Sequence, residues 1–198
     1  MKKLVCLGML LAAATLQPVR AADWKMDPAA SKLEFVTTFE KTENPGVFKE
    51  FDTVLHIDAQ NPAGNHLDVT INIKSVDMSS SQINDAIAGP DWFNFALHPR
   101  AEFHSTNIVR SPASPQSYIA HGTLMLKGVQ QPVDVPFTWK PAVGGAILDG
   151  GFTVKRGSFG IGSGEWALTE GKGAIGADVT VKFHVLLRKA AEANKPPG

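Results

Sequence analysis

Apolar residues fall on alternate positions through several stretches of this chain, and period-two alternation is the mark of strands with one buried face. From Lys32 to Phe39 the inner set is Leu33, Phe35, Thr37 and Phe39. From Phe51 to Ile57 it is Phe51, Leu55 and Ile57, with Asp52, His56 and Asp58 outside. Leu67, Val69, Ile71 and Ile73 alternate with Asp68, Thr70, Asn72 and Lys74. Val179, Val181, Phe183 and Val185 alternate with Thr180, Lys182 and His184, and these last two sets are the clearest strands. Shorter runs at 101–108, 118–126, 133–140 and 146–154 bring the strand set to about eight.

Turn chemistry separates the strands: Asn61-Pro62-Ala63-Gly64-Asn65, Ser111-Pro112-Ala113-Ser114-Pro115, Gly144-Gly145 and the glycine-rich stretch 171–176. One segment departs from strand periodicity. Between Ser79 and Phe95, Ile83, Ala86 and Ile87 have helical spacing after serines that can cap a helix start, and Gly89-Pro90 ends it. The pattern therefore predicts an all-β fold with one short helix. Eight antiparallel strands can form a sandwich or close into a barrel, and periodicity does not choose between them. Eleven Phe and four Trp against a single Tyr, many of the Phe on the inward parity, favour an enclosed interior, either hollow or filled by its own side chains.

The first residues stand apart. Lys2 and Lys3 precede the apolar run from Leu4 to Leu16, and Val19-Arg20-Ala21 supplies a cleavage site, so residues 1–21 read as a secretory signal peptide. The run is short of the roughly 20 residues a membrane-spanning helix needs. The expected organisation is a leader (1–21), a barrel domain (22–189) and a flexible tail (190–198), with a periplasmic destination and no transmembrane segment in the mature chain. Removing 21 of 198 residues leaves 177, enough for one domain with a real core. The leader takes three of the 19 basic residues with it, leaving 16 against 19 acidic, which gives no footing for nucleic acid. The one cysteine, Cys6, lies inside the leader, so the mature chain has no thiol for disulfides, nucleophilic catalysis or thiolate metal sites.

Candidate chemistry is sparse. There is no Gly-x-Ser-x-Gly elbow, His-Glu-x-x-His or phosphate loop, and Gly160-Ile161-Gly162-Ser163-Gly164 lacks a following Lys-Ser/Thr and reads better as a turn. His56, His104, His121 and His184 sit on the polar parity of their strands. They could converge on a metal, but no pair has metal-motif spacing, and solvated surface is the favoured reading. Arg156 could meet a ligand headgroup, although an Arg beside a glycine-rich turn more often pairs with structural carbonyls or carboxylates. Asp91-Trp92-Phe93 reads equally as a mouth element or as a staple docking a loop on the sheet.

Several strings, in order, resemble the YceI-like family of periplasmic lipid-binding proteins. They are Trp24-Lys25-Met26-Asp27-Pro28 with Ser31-x-Leu33-x-Phe35; Phe48-Lys49-Glu50-Phe51 with Leu55-His56-Ile57-Asp58; and Asp91-Trp92-Phe93-Asn94 with His98-Pro99 and Ala101-Glu102-Phe103-His104-Ser105. Most specific are Gly122-x-Leu124 with Gly128-Val129-x-x-Pro132-Val133, followed by Arg156-Gly157-Ser158-Phe159-Gly160. The resemblance implies an elongated, lipocalin-like, eight-stranded antiparallel barrel that carries a polyisoprenoid or isoprenoid quinone without changing it, needs no cofactor, and is compatible with a homodimer. Where many members have Arg-Asp-x-His-Leu, this chain has Ile83-Asn84-Asp85-Ala86-Ile87, so the family's mouth contacts do not carry over there.

The expected ligand lining is Phe35, Phe39, Phe51, Ile71, Ile73, Phe103, Phe137, Trp139, Phe152 and Phe183. Trp92 and Phe93 stand at the mouth, and Ile87, Arg156 and Phe159 are adjoining candidates. Two alternatives stay open: an accessory protein or small enzyme of quinone and redox metabolism, which needs an ionisable group facing the interior, and an adaptor whose barrel is only scaffold.

Overall fold

Residues 22–58, 62–167 and 174–190 are described by the structure, a computed structural model. The expected signal peptide and residues 191–198 of the expected tail lie outside these residues, as do 59–61 and 168–173 of two turns.

Three strand-breaks at one level shape the molecule. β1 (Ala22–Met26) and β2 (Lys32–Phe39) are two halves of one stave, as are β3 (Thr42–Phe48) and β4 (Phe51–Ile57), and β5 (His66–Asn72) and β6 (Val76–Asp77). The first break is built by Asp27, Pro28 and Ser31. The Asp27 carboxylate accepts from the Ala29 amide and pairs with Arg188 at 2.8 Å, while the Ser31 hydroxyl donates to the Asp27 carbonyl and accepts from the Leu186 amide. The third is capped by Asn72, whose side chain accepts from the Lys74 amide, and is tied to the second through Ser75 Oγ, which accepts from the Glu50 amide at 2.9 Å.

The remaining staves are β7 (Arg100–Arg110), β8 (Ser117–Leu126), β9 (Val129–Ala142), β10 (Gly145–Lys155) and β11 (Asp178–Lys189). Every pairing is antiparallel, and β11 returns to β1, so β1, β4, β5, β7, β8, β9, β10 and β11 close an eight-stranded barrel. Above the breaks, β2, β3 and β6 extend the wall from β11, and the helix α1 (Ser81–Ile87) packs against them through Ile83 and Ile87.

The alternating runs mark one strand in each of the eight staves. The halves β1, β3 and β6 escape the pattern because they are short or carry Pro45-Gly46. Pro45 faces Val36 of β2, and β3 meets β6 only at Val47 and Phe48, so the missing amide falls on a free edge where proline costs no ladder bond. Two turns go against residue type, since of their four central residues only Gly128 takes a positive φ without steric cost. Glu40 and Lys41 both have positive φ, as do Lys127 and Gly128, the backbone of two-residue hairpins that match strand twist.

The helix begins where the serines place it, with the Ser80 hydroxyl accepting from the Ile83 amide. Its second anchor is Asn84, which accepts from the Met78 amide at 2.8 Å and donates to the Asp77 carboxylate at 3.1 Å. Lys49 reaches Asp77 at 2.6 Å from the β3–β4 break. These bonds from Lys49, Asn84 and the Ser79 amide hold the Asp77 carboxyl down to about 2. Among the described residues, no helix is long and apolar enough to cross a membrane.

Candidate functional site

Two apolar clusters leave a space between them. The lower one packs Met26, Leu55, Phe137 and Leu187 with Trp24 and Trp139 at the closed end. The upper one packs Phe35, Val76, Met78 and Ile87 beneath the helix. Between lies a cavity of about 670 Å³. Its floor is Thr53, Leu67, Val135, Leu148 and Val185, and Thr37, Asn44 and Gln82 stand on the wall with Phe39 and Trp166, which are 42% and 41% exposed and mark the mouth. From Val179 to Val185, six residue steps of ~3.3 Å give about 20 Å of wall measured along β11.

The aromatic side chains do not fill this space because glycines give them room at the wall. Gly46 faces Phe35 across β2–β3, and a Cβ there would fall on the tip of the Phe35 ring, 2.5 Å from the Met78 sulfur. Gly150 faces Phe183 across β10–β11 in the same way. Each ring lies over a position without a side chain instead of standing into the lumen, and so the barrel is hollow.

Thirteen of the fifteen expected lining residues are on the cavity wall: Phe35, Phe39, Phe51, Ile71, Ile73, Ile87, Trp92, Phe93, Phe103, Phe152, Arg156, Phe159 and Phe183. Phe137 and Trp139 are not. Their parity is inward, but Phe137 stacks on Tyr118 at 5.6 Å and Trp139 meets Trp24 edge-on at 5.0 Å, in the packed lower end. Alternation tells which face a residue takes and nothing of its depth. The sequence reading also passed over the aliphatic wall, including Leu124, Leu148, Val154 and Val181, and the mouth residue Trp166. Most of the aliphatic set shares strands and parity with the named aromatics, so the same alternation would have found it.

Arg156 is 3% exposed, and its five N–H bonds all go to carbonyls: Nε to Gly176, one terminal nitrogen to Ile161 and Gly162, the other to Trp166 and Ile175. Burial pushes its pKa down, and its guanidinium carbon stands 5.8 Å from the Trp92 ring centre. It organises the loop 156–166 and has no donor left for a headgroup, which corrects the headgroup expectation. The glycine turn is likewise spent. Gly162 and Ser163 amides donate to the Asp91 carbonyl at 2.7 and 2.9 Å, and the Ser163 hydroxyl to the Asp91 carboxylate at 3.0 Å. Asp91 thus staples the loop, while Trp92 and Phe93 line the cavity, so that string serves both readings. Arg156 is the one ionisable residue on the wall among the described residues.

Outside the barrel the four polar-parity histidines each face an aspartate in direct register: His56–Asp23 at 2.6 Å, His104–Asp68 at 2.9 Å, His121–Asp134 at 2.6 Å and His184–Asp149 at 2.6 Å. They fasten every second seam of the closed ring. The hydrogen bond with Asp68 raises the His104 pKa against an opposing effect of burial. Burial alone would raise Asp149, but bonds with His184 and Lys140 outweigh it and the carboxyl is held low. Among the described residues no three His, Cys, Asp or Glu side chains are grouped to hold a metal ion.

The comparisons with known proteins agree with this architecture. BcnA of Burkholderia cenocepacia superimposes with a TM-score of 0.73 at 32% identity, covering 81% of this chain and 98% of BcnA. A polyisoprenoid binding domain from Saccharophagus degradans, implicated in plant cell wall breakdown, shares the fold at 15% identity with a TM-score of 0.64, covering 84% of this chain and 98% of that one. Among curated relatives, a UPF0312 protein of Photorhabdus laumondii is 38% identical and Protein YceI of Escherichia coli 35% identical, each over 88 residues. The matched stretch spans 44% of this chain and 44% of those relatives. The YceI-like domain profile matches residues 24–187, from the Trp24 strand to Leu187 at the end of the closing stave, and the chain belongs to that family.

Proposed function

We propose that this chain is an exported, periplasmic carrier that holds one long apolar lipid, a polyisoprenoid or isoprenoid quinone, inside the barrel without altering it. The observation that carries the reading is the apolar lumen, with about 20 Å of wall along β11, kept clear by rings lying over Gly46 and Gly150. An elongated apolar chain gains about 0.8 kcal/mol for each methylene it buries, so a long isoprenoid gains on the order of 10 kcal/mol before ordering costs. The name of the S. degradans domain supports the ligand class, and the leader at residues 1–21 supports export. Binding without turnover is favoured because the one ionisable group on the wall among the described residues has every donor engaged.

The test is to express the chain with its leader, purify it from the periplasmic fraction, extract with organic solvent and identify the extract by mass spectrometry. One isoprenoid per protein is expected, and far less from a Val69→Trp variant whose indole occupies the lumen. Wild-type protein that is recovered lipid-free, with its lumen intact, would overturn the proposal.

A further inference from the structure

The cavity wall is hydrocarbon except for Thr37, Thr38, Asn44, Gln82, Thr53 and Arg156, the last with every donor engaged by carbonyls. At the mouth, Thr37, Asn44 and Gln82 are within reach of solvent. At the floor stands Thr53, which is 3% exposed and lies in direct register with Val69 on β5. Its amide donates to the Asp52 carboxylate at 2.9 Å, yet its hydroxyl makes no hydrogen bond with any described residue and is not sealed inside protein. The other buried hydroxyl of this region, Ser105, is satisfied: it accepts from the Leu67 amide at 2.7 Å. Thr53 thus presents a free donor and acceptor to the deepest part of a greasy cavity, where a polar group without a partner is costly.

We infer that Thr53 forms a hydrogen-bonding subsite at the cavity floor, taking a small oxygen function (a hydroxyl or carbonyl) at the inward end of the bound chain. The inference rests on the lipid-holding reading of the same cavity and adds a selectivity to it. A chain that ends in plain hydrocarbon fills the lumen but leaves Thr53 unpaired. A chain of equal length ending in oxygen fills it and pairs Thr53. The residue is a specificity determinant, separate from the mouth where an outward headgroup would sit.

Palmitic acid and its ω-hydroxy derivative share a carboxylate and a chain length comparable to the roughly 20 Å of wall along β11. They differ only at the end that reaches the floor. Each is used to displace a fluorescent apolar probe, N-phenylnaphthylamine, from the delipidated full barrel in wild type, Thr53→Val and Thr53→Ser. Valine keeps the shape and loses the hydroxyl; serine keeps the hydroxyl.

The expected result is a ratio of affinities, ω-hydroxy over plain, that falls about fivefold in Thr53→Val and is retained in Thr53→Ser. Equal ratios in all three proteins, with the plain acid still binding, overturn the subsite and leave the carrier reading standing. Failure of both acids to displace the probe from folded wild type overturns both.

Discussion

Replacing Gly46 with alanine puts one methyl group under the ring whose position keeps the lumen clear. The new carbon would clash with the tip of Phe35 and stand 2.5 Å from Met78 Sδ and 2.7 Å from a second ring carbon. Ordinary carbon contacts are about 3.5–4.0 Å, so the ring has to move by about 1 Å or more. The strand pair lies behind it and the lumen in front, so the cheap direction is inward. Gly46 has no positive φ, and the three nearest atoms belong to side chains, so the backbone need not change.

Overpacking of this kind costs about 1–3 kcal/mol, a melting shift of roughly 2–12 °C for a chain this size. If the displaced ring excludes two methylenes of a bound chain, affinity falls by about 1.6 kcal/mol, near fifteenfold. Titration of delipidated protein with a long-chain acid, beside a thermal melt, reads both. The reasoning is refuted if Gly46→Ala melts lower but binds the long chain as tightly as wild type, because the ring then yields somewhere other than the lumen.

Other perturbations separate the parts of the molecule. Arg156→Met strips five carbonyls of their donor and should cost more than about 3 kcal/mol; Arg156→Lys should recover only a fraction, since an ammonium has three N–H groups in the wrong shape. Thermal melts of the two variants check it. The raised His104 pKa means that its pair with Asp68 stabilises the fold fully below the ordinary histidine value of 6.5 and is lost as pH rises through the raised value. The stability gap between wild type and Asp68→Asn should therefore be wider near pH 5 than near pH 9, and an NMR titration of His104 should move down in the variant. Asn84→Ala removes the bonds to Met78 and Asp77, so proteolysis between α1 and residue 99 should quicken while the melting of the lower ring changes little.

Alternation made the barrel wall legible because each stave faces water on one side and hydrocarbon on the other. It could not reveal that Asp27-Pro28, Lys49-Glu50 and 73–75 break three staves at one height, since that depends on contacts between strands far apart in sequence, such as Ser31 with Leu186. The same limit explains Phe137 and Trp139, which have the right face and the wrong depth. Family strings marked Arg156, but only the folded loop shows that its donors turn toward carbonyls. The pairing of each outward histidine with an aspartate was invisible for a simple reason: strand register is a property of two segments, and Asp23 lies 33 positions from His56.

The aligned breaks divide the wall mechanically. Below them, a complete hydrogen-bonded hoop runs from β1 to β11 and back; above them, β6 has no strand partner on its β7 side among the described residues, and the helix covers that region through side-chain packing. The upper panel is therefore held along one side by the β2–β11 ladder and elsewhere by side-chain packing and the three creases, so loosening it would undo no rung of the hoop below. Amide exchange should show two tiers, slow protons in the hoop and faster ones in β3 and β6, and loading would quiet the second tier alone.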